Sequence, residues 1–111
     1  MTIALIAVFT GCDTPRSDVP EALEELTIAD IHKAYEEGKY NSRQLVEAYI
    51  NRIESFDSEI NALTIVNPDA LHEAEKLDRE YGETAVLRPL HGIPLIVKDN
   101  INTRGLPTTG G

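Results

Sequence analysis

One lysine, Lys98, stands where a side-chain amine could serve as a base. It directly follows the apolar run Ile93 to Val97, which lacks polar alternation and so reads as a strand covered on both faces. In α/β sheets, ligands gather beyond the carboxyl ends of the strands. A lysine emerging there is placed for partial desolvation. Burial disfavours the charged amine, and a neutral amine can take a proton from a hydroxyl nucleophile. That is the Ser-Lys form of a nucleophile–base pair. Residue types alone leave a second reading open, in which the stem lies along apolar surface and the ammonium stays in water.

The partners for such chemistry are unevenly placed. The chain has four serines, Ser17, Ser42, Ser55 and Ser58, and all of them precede Lys98. His32, His72 and His91 lie far apart without ligand spacing, so no metal site is expected. Asp99 and Asn100 are of the types that fix a turn by side-chain to backbone hydrogen bonds. Thr108 and Thr109 are candidates for shaping a cleft.

The single cysteine, Cys12, makes no internal disulfide and no zinc cluster. It follows the apolar run Ile3 to Phe9, which is too short to span a bilayer but has the length of a signal-peptide core. Phe9-Thr10-Gly11-Cys12 resembles a bacterial lipobox, with Phe9 where Leu is usual and no basic residue ahead of the run. Asp13 to Glu21 holds two prolines and mixed charges and reads as a flexible tether. These features give three expected regions: a leader over 1–12, a tether over 13–25 and a folded part over 26–111. They also give an expected location, exported and anchored through a lipid on Cys12. A cytoplasmic protein with a buried N-terminal strand is the alternative.

With 111 residues, 41% hydrophobic and 26% charged, the chain has the make-up of one globular domain or part of one. A net charge of −9 speaks against nucleic acid and against a polybasic membrane surface. Contact with a membrane is expected through the Cys12 anchor alone.

The elements that must position Lys98 follow from periodicity. Thr27 caps a helix to Glu37, with Asp30 completing a capping-box-like pair and Gly38 as its stop. Ser42 caps a longer amphipathic helix to about Phe56, with Leu45, Tyr49, Ile53 and Phe56 as its stripe. Ile60 to Val66 is rich in β-branched residues and reads as a strand. Asn67-Pro68 opens a third helix to about Tyr81, closed by Gly82, with Ala70, Ala74, Leu77 and Tyr81 on one face. Strands alternating with helices predict an α/β layer architecture.

The stretch Leu90 to Gly111, LHGIPLIVKDNINTRGLPTTGG, resembles the region around the catalytic lysine of the amidase signature family. The resemblance rests on Gly92-Ile93-Pro94, the short apolar run, Lys98-Asp99-Asn100 and Thr108-Thr109-Gly110-Gly111. Ser42-Arg43-Gln44-Leu45-Val46 and Glu59-Ile60-Asn61-Ala62 extend it over roughly Leu26 to Gly111. It implies a fold of helices flanking a mixed sheet, incomplete here, and amide hydrolysis by a Ser-cisSer-Lys triad without metal or organic cofactor. Lys98 matches the catalytic lysine. No serine here matches a triad member, so the resemblance implies an N-terminal fragment, inactive alone, of a parent acting on a small amide. The family needs no histidine, which leaves His91 a structural role. Two alternatives remain: a non-catalytic remnant or binding module, and the N-terminal part of a glutamine-hydrolysing amidotransferase subunit.

Overall fold

The computed structural model describes residues 18–20 and 23–110. The leader, Cys12 and most of the tether lie outside the described residues. Three helices make up the regular structure: α1, Ile28–Glu36; α2, Ser42–Ile60; and α3, Ala70–Thr84.

Helix α1 starts as its sequence dictates. The Thr27 hydroxyl accepts from the Asp30 N–H at 3.1 Å, and the Asp30 carboxylate accepts in return from Thr27. These bonds hold the Asp30 carboxyl below its ordinary pKa. Ile31, Ala34 and Tyr35 are its buried residues.

Helix α2 begins one residue earlier in register than the sequence suggests. Asn41, not Ser42, is the cap, and it forms a reciprocal pair with Gln44. Ser42 is instead buried, at 1% exposure. Its N–H and that of Arg43 donate to the two carboxylate oxygens of Asp78 on α3, at 2.8 and 3.0 Å. A carboxylate on two free N–H groups at a helix start satisfies both donors and complements the helix dipole. The Arg43–Glu75 ion pair, at 2.7 Å, adds a second tie between α2 and α3.

The far end of α2 runs past Phe56 to Ile60. Asn61 stops it in the left-handed conformation, with φ 52°, a region that Asn tolerates better than most residues. The Asp57 carboxylate then accepts from the N–H groups of Ala62 and Leu63. Helix α3 likewise overruns Gly82 and ends at Thr84, with Ala85 left-handed behind it. It starts after Asp69 rather than at Pro68, and the Asn67 side chain accepts from the Asp69 N–H.

The core gathers Leu23, Ile31, Ala34, Tyr35, Tyr40 and Leu45, with Leu87 and Ile93 packed against it. Leu45 is fully covered. Tyr35 and Tyr40 meet edge to face, with ring centroids 5.7 Å apart, a favoured geometry for aromatic pairs.

The described residues contain no strand, contrary to the expectation for 60–66 and 93–97. A strand is defined by its partner, because each extended backbone must find hydrogen bonds on a neighbour. Neither segment has one among the described residues. Their side chains are open as well. Leu95 is 66% exposed and Ile96 82%, so the covering expected on both faces of this run is absent here.

Candidate functional site

Lys98 is exposed and lies on the rim of a wide, mostly apolar groove of about 820 Å³. One wall is the face of α2 that carries Val46, Tyr49, Ile50 and Ile53. The other comprises Leu63 to Val66 and Pro94 to Val97, the two segments read as strands from sequence. The predicted α2 stripe is therefore real, but much of it faces this groove rather than a packed layer. The partial desolvation expected of Lys98 is not found here, because Leu95, Ile96 and Val97, which lead into it, are themselves exposed.

The backbone around Lys98 is held on both sides. On the C-terminal side, its carbonyl accepts from the Ile101 N–H at 2.9 Å, which closes a tight turn. The Asp99 carbonyl accepts from the Gly110 N–H, and the Asp99 carboxylate accepts from both the Thr109 N–H and its hydroxyl. The loop 99–110 is thus pinned at its neck. Asp99 fixes the turn as its type suggested. Thr109 is its partner there, and Thr108 reaches the Ile101 carbonyl at 3.5 Å.

On the N-terminal side, the turn Arg88–Ile93 is tied to the helical core. The His91 N–H donates to the Arg88 carbonyl and the Ile93 N–H to the Leu90 carbonyl. The carbonyls of His91 and Gly92 accept from His32 Nε2 and the Tyr35 hydroxyl, at 2.9 and 2.8 Å. Burial pushes the Tyr35 phenol far above its ordinary pKa, so it remains a donor at any ordinary pH. Gly92 has φ 68°, and a Cβ there would be driven into Ser42 Oγ. This is a place that glycine alone fits, for conformation and for space.

The remaining candidates separate from Lys98. Ser42 lines a small cavity of about 40 Å³ with Tyr35, Asp78 and His91, away from the groove. Ser55 donates back to the Asn51 carbonyl within α2. Ser17 and Cys12 lie outside the described residues. His91 is buried, as a structural histidine should be, and its ring is fully engaged. The sequence signalled neither the Asp78 cap nor the Tyr35 bond, because each joins residues more than thirty positions apart.

Comparison with known proteins gives a consistent result. The family model described as Amidase matches residues 44–111, which contain Lys98 and both walls of the groove. A probable amidase of Arabidopsis thaliana is 42% identical over 93 residues, covering 81% of this chain and 18% of that protein. A glutamyl-tRNA(Gln) amidotransferase subunit of Prochlorococcus marinus is 39% identical over 85 residues, covering 76% and 18%. A putative amidase of Schizosaccharomyces pombe is 38% identical over 90 residues, covering 80% and 15%. The chain thus spans less than a fifth of the length of these curated relatives. No solved structure matches it.

Proposed function

The chain belongs to the amidase family, and we propose that it contributes the lysine base of an amide-hydrolysing site, Lys98. The observation that carries this reading is the family match across 44–111, with Lys98 at the end of its apolar run beside the groove. In the Ser-cisSer-Lys mechanism the lysine takes a proton through a bridging serine while a second serine attacks the carboxamide carbon. The C–N bond then breaks as the nitrogen leaves with that proton, and water releases the acyl group. None of the chain's four serines follows Lys98, so the nucleophile and its bridge are proposed to come from outside these 111 residues. These residues alone are then inactive.

In the completed domain, 60–66 and 93–97 become strands of a mixed sheet flanked by helices. Covering that sheet would bury the run before Lys98 and disfavour the charge on its amine, as a base requires. Residues 26–111 form the first part of this domain, behind a leader over 1–12 and a polar segment over 13–25 that is not all free tether, because its Leu23 packs into the core. The leader and Cys12 support an exported lipoprotein. If Cys12→Ser leaves the protein equally membrane-bound on fractionation, the anchor is wrong.

The test is a chimera in which residues 26–111 replace the aligned segment of the Arabidopsis thaliana relative. Ammonia release from simple carboxamides is then measured. Lys98→Met should lower turnover by about 10²–10⁴-fold, the range for loss of a general base, with the helical signal intact. Unchanged turnover in Lys98→Met would remove the lysine from the chemistry. A second reading is favoured by the amidotransferase relatives, at up to 41% identity. It assigns the same lysine to glutamine hydrolysis within an amidotransferase. The same graft made into the Prochlorococcus marinus relative, with ammonia release from glutamine as the assay, separates the two.

A further inference from the structure

We propose that His91 is a positioning residue for Lys98: its neutral ring clamps the turn from which the lysine-bearing segment leaves the helical core. The lysine's role in this statement rests on the reading above, whereas the clamp itself does not. His91 is 3% exposed and sits where α1, α3 and the turn meet. Its Nε2 lies 2.9 Å from the Leu77 carbonyl, an acceptor, so Nε2 carries a hydrogen. Its Nδ1 lies 3.4 Å from an Arg88 guanidinium nitrogen, a donor, so Nδ1 is bare. Together the two contacts select one neutral tautomer, because a hydrogen on Nδ1 would face a cation. Arg88 is held in turn by Glu80 of α3, at 3.0 Å.

The clamp then grips backbone through its neighbours. The His91 carbonyl takes the His32 bond from α1, the Gly92 carbonyl takes the Tyr35 bond, and Gly92 presses against Ser42 at the start of α2. All three helices converge on two residues. Beyond them Ile93 still packs on the core, and then Leu95, Ile96 and Val97 are exposed. The last fixed point before Lys98 is therefore the turn at His91–Ile93.

The consequence is a lever. The five residue-to-residue steps from Ile93 to Lys98 span at most about 17 Å at ~3.3 Å each. A change of about 10° in the direction of departure would swing the Lys98 backbone by about 3 Å over that length. A displacement of about 1 Å at a reacting group can lower rate about 10²-fold. The histidine thus acts on the lysine through direction, without touching it.

The experiment uses the full 111-residue chain carrying Cys12→Ser, with pairs of cysteines introduced for spin labels. The reporting pair is Ile96→Cys with Glu83→Cys, from the segment to α3. The control pair is Lys33→Cys with Glu83→Cys, from α1 to α3. Distance distributions are measured by electron paramagnetic resonance. His91→Ala should at least double the width of the reporting distribution and leave the control unchanged. His91→Gln, whose amide can still donate to the Leu77 carbonyl, should restore most of the narrow width. Nitrogen NMR of the His91 ring should show the neutral form with hydrogen on Nε2. Equal broadening of both pairs would make His91 a general packing residue and overturn the proposal. So would an unchanged reporting distribution, a His91→Gln variant as broad as His91→Ala, or a charged ring at neutral pH. No turnover enters these measurements, so an inert Lys98 in the chimera would leave the clamp standing.

Discussion

Replacing Gly92 by alanine tests the junction most directly. The glycine has φ 68°, a conformation that costs an L-residue about 1–2 kcal/mol. The added Cβ would also run into Ser42 Oγ and lie 3.0 Å from Tyr35 Cε2 and 3.1 Å from Ser42 Cβ. None of these atoms can retreat cheaply. Ser42 is the first residue of α2, held by Asp78, and Tyr35 is bound to the Gly92 carbonyl itself. Overpacking of a filled site costs about 1–3 kcal/mol, so Gly92→Ala should destabilise the helical unit by about 2–5 kcal/mol in all. Urea unfolding of the 111-residue chain, followed by far-UV circular dichroism, measures this. Ser42→Gly removes both clashing Ser42 atoms but leaves the backbone strain. The double variant should therefore recover part of the loss, about 1–3 kcal/mol of coupling between the two sites. A Gly92→Ala change below about 0.5 kcal/mol would refute both the left-handed geometry and the close approach, since surface substitutions without such features fall within that range.

Other expectations concern the same helical unit and its open face. Asp78→Ala strips two charge-assisted acceptors from the start of α2 and should lower stability by about 2–3 kcal/mol in the same urea assay, with Asp78→Asn in between. Tyr35→Phe leaves the Gly92 carbonyl without its donor and should lower stability by about 1–2 kcal/mol at neutral pH. Burial raises the Tyr35 pKa above its ordinary 10.0, so its contribution is full below about pH 10 and is lost as pH rises beyond that value; urea midpoints taken across this range should fall less steeply in Tyr35→Phe. The apolar groove should drive self-association of the 111-residue chain, and Leu95→Glu with Ile96→Lys should raise the monomer fraction in sedimentation without changing helix content.

What the sequence made legible was local. The Thr27–Asp30 pair, the α2 stripe and the apolar face of α3 are all encoded within four residues of themselves, and the helices follow. The ends were harder because several chemistries compete there. Gly82 looked like a stop, but one glycine inside α3 costs only about 1 kcal/mol, and the helix continues to Thr84. Asn41 and Ser42 are both good caps; Asn41 takes the role, and the Asp78 carboxylate, thirty-six residues from Ser42, accepts from the N–H groups of Ser42 and Arg43. No periodicity in the sequence reports such a partner.

The strand readings expose a different limit. Ile60 to Val66 and Ile93 to Val97 have the composition of buried strands, and that composition records an environment rather than a conformation. In the described residues the environment is missing: the second segment has no strand partner there, and its Leu95, Ile96 and Val97 are exposed. The same gap leaves Lys98 exposed. A base needs its charge disfavoured, and that needs low-dielectric cover which Leu95, Ile96 and Val97 cannot provide while facing water themselves. The turn at Gly92, the clasp at Asp99 and the groove wall of α2 are already in place around it. On the proposed reading, this turn and clasp aim the lysine, and the desolvation that a base needs would come from closure of the groove.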